Sequence, residues 1–131
     1  MHFQAHGIFE VSVENNWLIV DATGPFNEEL LQSYSHSIES CVSKLEASPW
    51  QQIIVLHQQS LFTPEAESLL SKTVKNRKTR GLKASAVVLL NVEGGALIQQ
   101  QLSRVYKGAN LPHAFFSNQE AAKSWLSSSD F

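Results

Sequence analysis

The sequence predicts an α/β fold built on a five-stranded mixed sheet, and three observations predict it. Ala84–Leu90 is a run of apolar or small residues, followed by Gly94-Gly95 and then by a segment with helical spacing. Such a run reads as a strand buried on both faces. The order strand, glycines, helix places backbone N–H groups at the edge where open α/β sheets hold ligands. Strand and helix patterns then alternate along the chain in the order ββαβαβαβα, so the later strands need right-handed parallel crossovers. The first two strands are joined by a turn too short for a crossover, so the first must run antiparallel, and the sheet is mixed.

Each element has its own signal. Ile8–Glu14 alternates, with Phe9, Val11 and Val13 on one side and Glu10, Ser12 and Glu14 on the other, as a half-buried strand does. Asn15-Asn16 tolerates positive φ and makes the hairpin turn to Trp17–Thr23, which Gly24-Pro25 ends. Asn27 caps a helix whose first turn holds Glu28 and Glu29. Leu30, Leu31, Tyr34, Ile38, Cys41, Val42 and Leu45 then recur at helical spacing. Cys41 lies on that stripe as a small packed side chain.

Ser48-Pro49 breaks the chain before a third strand, Gln52–His57, and Gln58–Phe62 reads as a loop. Thr63-Pro64-Glu65 supplies cap, proline and acid for a helix that runs to about Arg80 and stops at Gly81. Its apolar stripe is thin, and Arg77 falls on it. The fourth strand is Leu82–Leu90, and Ala96–Lys107 is a helix closed by Gly108. His113–Phe116 is a short last strand, and Ser117-Asn118-Gln119-Glu120 is a capping box for the final helix, with fraying expected at Ser127–Ser129. No repeat, linker or low-complexity segment interrupts residues 1–131, so one domain is expected.

Composition narrows the function classes. Apolar residues make up 43% and charged residues 17% of the chain, which excludes disorder, and no apolar run reaches membrane-spanning length. Met1–Gly7 has no basic or apolar leader region, and a lone cysteine cannot form an internal disulfide. A cytoplasmic location is expected. Charge is lopsided. Residues 1–71 carry nine acids and one base, net −8, while residues 72–131 carry nine bases and three acids, net +6. Six bases fall in one run: Lys72, Lys75, Arg77, Lys78, Arg80 and Lys83. Such a run fits either a solvated helix face or an anionic partner. It lacks interleaved aromatics and the pI is near 6.2, so nucleic acid is not expected.

The element order, together with the tail Ala114-Phe115-Phe116-Ser117, Glu120-Ala121-Ala122 and Trp125-Leu126, resembles the SpoIIAA-like branch of the STAS superfamily. The tail is similar to that branch's last strand and its E-A-x-x-W-L helix. The resemblance implies helices mainly on one face of the sheet, an architecture that CRAL-TRIO lipid-binding domains share. The superfamily's anti-sigma-factor antagonists carry an Asp-Ser phosphorylation pair where this chain reads Leu61-Phe62-Thr63-Pro64-Glu65, so Thr63 reads as a helix cap here.

No catalytic constellation is present. The five histidines, His2, His6, His36, His57 and His113, have no metal-binding spacing, so neither metal nor cofactor is expected. His57 and Ser60 lie close in sequence, but no third group orients them. Val92-Glu93-Gly94-Gly95 fits neither a P-loop nor a dinucleotide fingerprint.

The expected function is therefore non-enzymatic: binding of a small apolar or lipid-like ligand, with a peripheral place on the inner membrane surface. The alternative is a regulatory protein–protein module of the STAS type. The expected pocket lies at the carboxyl ends of the third and fourth strands. Its walls are Leu56, Phe62, Leu69, Leu70, Val74, Leu90 and Leu97, and His57, Arg77 and the Gly94-Gly95 backbone are its polar groups. The helix Thr63–Arg80 would lift as a lid on hinges at Gln58-Gln59-Ser60 and Gly81. Membrane contact is expected through Leu61, Phe62, Lys72, Lys75, Lys78, Arg80 and Lys83. The complementary charged halves, with one sheet face short of helix cover, suggest a homodimer.

Overall fold

A computed structural model describes residues 8–128 and 131. His2 and His6 lie outside the described residues. The order of elements is β1 (Ile8–Glu14), β2 (Trp17–Thr23), α1 (Glu28–Leu45), β3 (Trp50–Gln59), α2 (Pro64–Thr79), β4 (Leu82–Glu93), α3 (Gly95–Gly108), β5 (His113–Phe116) and α4 (Gln119–Ser128). The strands form one mixed sheet in the spatial order β1-β2-β3-β4-β5, with β1 antiparallel and every later pair parallel.

Local chemistry accounts for the element ends. Asn15 turns the hairpin at φ 56°, which an asparagine tolerates. Asn27 Oδ1 accepts the Leu30 N–H at 2.9 Å and opens α1, and Thr63 Oγ1 accepts the Ala66 N–H at 3.1 Å and opens α2. Gly81 stops α2 at φ 104°, a conformation open to glycine, and packs against the Trp50 indole. In α4 the cap falls one residue later than the capping box predicts. Asn118 Oδ1 takes the Ala121 N–H at 2.8 Å, so Asn118 and not Ser117 starts the helix.

Two apolar layers enclose the sheet. On one face α1, α2 and α3 bury Leu18, Val20, Ile54, Leu56 and Val87 beneath Ile38, Val74 and Leu102. On the other face α4 alone lies across β3, β4 and β5, and packs Ala122 and Leu126 on Ile53, Val55, Ala86 and Val88. Helices thus sit mainly, but not wholly, on one face. Ile54, Val55 and Val88 are buried, whereas Leu89, near the end of the buried part of β4, is half-buried.

Both central strands run past their predicted ends. β3 pairs Gln58 with Val92 and Gln59 with Glu93, and Asn91 at φ 51° is skipped in the register as a bulge. Gln58 and Gln59 are therefore laddered strand residues and not a hinge. The following residues are bonded as firmly. Phe26 N–H donates to the Leu61 carbonyl at 3.0 Å, and Thr63 N–H donates to the Phe26 carbonyl at 3.0 Å. The Gln101 side chain holds both the N–H and the carbonyl of Phe62, at 3.1 and 2.9 Å.

Candidate functional site

The sheet face beneath α1 and α2 contains a cavity of about 40 Å³. Its wall is almost wholly apolar: Phe9 from β1, Val20 from β2, Leu56 from β3, Phe26 and Phe62 from the loops, and Tyr34 from α1. At about 10–15 Å³ for each water-sized group, it holds roughly three such groups.

Four expected residues meet at that cavity: Leu56, Phe62, Leu70 and Arg77. Val74 is fully buried and Leu69 half-buried in the same core, but neither lines the cavity. The other expected residues are elsewhere, for reasons of strand and helix geometry. His57 and Leu90 alternate with Leu56 and Leu89 along their strands and so point to the α4 face, where Leu90 packs. Leu97 precedes the buried stripe of α3, which begins at Ile98, and is 47% exposed. Gly94 caps α3 at φ 65°, and a Cβ added at Gly94 or Gly95 would meet nothing within 4 Å. Those glycines stand open beyond the extended ends of β3 and β4 and do not form a pocket wall.

The polar part of the site is a buried set that sequence reading recognised only in Arg77. Arg77 is 2% exposed. Its Nη1 donates to Gln52 Oε1 at 3.1 Å, and Gln52 Nε2 donates to Ser85 Oγ at 3.0 Å. Burial pushes the Tyr106 hydroxyl up to about 12, although Ser85 and Gln52 bond to it. The Arg77 guanidinium lies 5.0 Å from the Tyr34 ring centroid, a cation–π contact of about 2 kcal/mol when desolvated. Burying a cation without a carboxylate costs several kcal/mol, more than one ring and one amide return. Arg77 Nη2 and, on α1, Ser35 Oγ are buried and make no hydrogen bond among the described residues. Gln52 and Ser85 are legible as polar interruptions in otherwise apolar strands, and that was the available signal.

Arg77 also lines a second space, an open groove of about 250 Å³ between α1 and α2, with Ser35, Glu39, Lys72, Asn76 and Arg80. Arg80 clamps its far end. It bonds Glu39 through Nη1 and Nη2, both at 2.8 Å, and Glu46 through Nε and Nη2, both at 2.9 Å. The hydrogen bond from Arg80, aided by that from Ser43, holds the Glu39 carboxyl down at about 2, and Arg80 likewise lowers Glu46.

The basic run is therefore not one surface. Arg77 is buried, Arg80 is committed to two carboxylates, and Lys78 Nζ donates to the carbonyls of Ala109 and Asn110 at 2.9 and 2.8 Å. Lys72, Lys75 and Lys83 are exposed. Leu61 is 39% exposed, but Phe62 is buried against Phe26, with ring centroids 4.8 Å apart. Leu61 and Lys83 flank opposite ends of α2, whose 16 residues span roughly 24 Å. Several acids of the first half are paired within the chain: Glu39 and Glu46 with Arg80, and Glu14 with Lys123 at 3.2 Å. Those charges are then not free for a partner copy.

On the α4 face His57 Nε2 sits 2.8 Å from Asp21 Oδ1. Ser60 is no nucleophile for it, since its hydroxyl donates to the His57 carbonyl at 2.7 Å. Among the described residues no three His, Cys, Asp or Glu side chains converge to hold a metal, and no helix is long and apolar enough to cross a membrane. Compared with known protein-family models and with the curated proteins, the chain matches none.

Proposed function

We propose that this chain is a non-enzymatic SpoIIAA-like module that binds a small apolar or lipid-like ligand between its sheet and the α1–α2 layer, and associates peripherally with membrane. One observation carries the reading: an apolar cavity lies under two helices, and on its wall is a guanidinium whose Nη2 makes no hydrogen bond among the described residues. An apolar lining with few polar groups to orient a ligand supports this reading, and at about 40 Å³ the cavity fits only a short apolar tail unless α1 or α2 shifts. The SpoIIAA-like assignment rests on the element order and the Glu120–Leu126 tail. Membrane attraction would come from exposed Lys72 and Lys75, each contributing about 1 kcal/mol near an anionic surface.

Solvent extraction of purified protein, followed by mass spectrometry, tests the ligand. An apolar small molecule near one equivalent is expected. Protein that carries none, and gains no thermal stability from fatty acids or alcohols, refutes it. Flotation with anionic and neutral vesicles tests the membrane part, where preference for anionic vesicles is expected.

A second reading, a protein–protein module of the regulatory STAS type or a homodimer, is favoured by a different feature. α4 covers β3–β5 and leaves the β1–β2 part of its face with Trp17 and Ile19 only half-buried and Ile8 51% exposed.

A further inference from the structure

We propose that the groove between α1 and α2 holds the carboxylate of a monoanionic amphiphile, bound by Arg77 Nη2 and Ser35 Oγ, with its tail entering the cavity beyond Arg77. This rests on the ligand-binding reading above and names the chemical class of the ligand. Among the described residues, Arg77 is the one side chain that borders the cavity and also the groove while carrying a buried charge. Its inner nitrogen is fixed by Gln52 and its plane by the Tyr34 ring. Among the described residues Nη2 has no acceptor, and Ser35 Oγ on the same groove likewise makes no hydrogen bond.

Glu39 is the acidic residue that lines the groove, and its charge acts on Arg77 only at a distance, because both Glu39 oxygens accept from Arg80. A buried guanidinium and a hydroxyl that both lack acceptors are matched by an acceptor-only group, and a carboxylate supplies two oxygens in the fork geometry that arginine prefers. Charge selects the monoanion: a dianion on one fixed cation would leave a net negative charge against an apolar wall. Lys72, also on the groove, is exposed and stays solvated. A tail is required because the space on the inner side of Arg77 is apolar.

The test is calorimetric titration and thermal shift of the intact protein with butanoate, butan-1-ol, acetate and inorganic phosphate, the three-carbon tail of butanoate being matched to a cavity of about 40 Å³. Butanoate is expected to bind about tenfold or more tightly than butanol, since a charge-assisted hydrogen bond is at stake. Acetate and phosphate are expected to bind weakly. Arg77→Met should abolish the preference for butanoate over butanol while butanol binding remains. Ser35→Ala, a change at a half-buried helix position, should reduce the preference by about threefold and carries the test if the arginine variant does not fold. Butanol binding as tightly as butanoate overturns the carboxylate and leaves the apolar site standing. Acetate or phosphate binding as tightly as butanoate overturns the amphiphile and points to a free oxyanion. Binding by none overturns this inference and the ligand-binding reading together.

Discussion

Replacing Arg80 by methionine should release α2 from α1, and the structure sets the size of the effect. The substitution removes the hydrogen bonds that Arg80 makes to Glu39 and Glu46, but keeps an apolar stem and the main-chain carbonyl that accepts from Trp50 Nε1 at 2.9 Å. Arg80 holds Glu39 at about 2 against an ordinary 4.5. Taken at face value that gap is roughly 3 kcal/mol of folding free energy. The Glu39 side chain is 57% exposed, however, and solvent screening reduces the expectation to about 1 kcal/mol, or roughly 3–5 °C in Tm for a chain of this size. The pH dependence has a definite sign. Glu39 titrates lower in the folded than in the unfolded chain, so its contribution is full above about 4.5 and is lost as pH falls towards 2. Wild-type and variant stabilities, measured by urea unfolding from pH 7 to pH 2.5, should therefore converge on the acid side. A variant as stable as wild type at pH 7, or a gap that does not narrow in acid, would refute the argument. A gap that also shrinks in high salt would agree with it.

Three further outcomes are expected. Gly24→Ala should cost about 1–3 kcal/mol, because its new Cβ would overlap the Gln59 carbonyl oxygen and lie 2.9 Å from Ser60 Cα, both main-chain atoms; an unchanged urea midpoint would mean the ends of β2 and β3 are farther apart than described. Leu56→Ala should cost about 2–5 kcal/mol and enlarge the cavity that Leu56 lines, so a loss under about 1 kcal/mol would show that the wall collapses inward. Any self-association should be insensitive to salt, because Arg80 and Lys123 already pair with acids of their own chain; a dimer seen by sedimentation at low salt that dissociates at high salt would contradict this.

The elements were legible because their signals are local. Caps at Asn27 and Thr63, the stop at Gly81 and the alternation in β1 each act within a few residues, and the structure places them accordingly. The site was harder to read because its geometry depends on which way each central strand faces. β3 is buried on both faces from Trp50 to Leu56, so hydrophobicity carries no period there, and nothing in the sequence says that Leu56 faces α2 and His57 faces away. Arg77 stood out only because a cation interrupted an apolar stripe. Its partner Gln52 lies 25 residues before it and Ser85, which accepts from Gln52, eight after it, and only the pairing of β3 with β4 brings the two strand residues together. The basic run misled for a similar reason. Sequence proximity groups Lys72–Lys83, whereas one helical turn separates a buried arginine from a clamped one.

The strand order has a consequence for how the molecule is made. Each strand lies beside its predecessor, from β1 to β5, so no strand has to wait for one synthesised later. As the chain leaves the ribosome, β2 can close on β1, β3 on β2, and β4 on β3, each new edge serving as template for the next. Pairings between sequence neighbours keep loop-closure costs low and favour such vectorial assembly. The cavity needs elements up to Tyr106 in α3, so it is walled before β5 and α4 emerge. The α4 face stays bare until α4 itself arrives. A chain stalled just short of α4 would thus carry a finished pocket on one side and an uncovered β3–β4 surface, with Val55, Ala86 and Val88 open to whatever chaperone waits at the tunnel mouth.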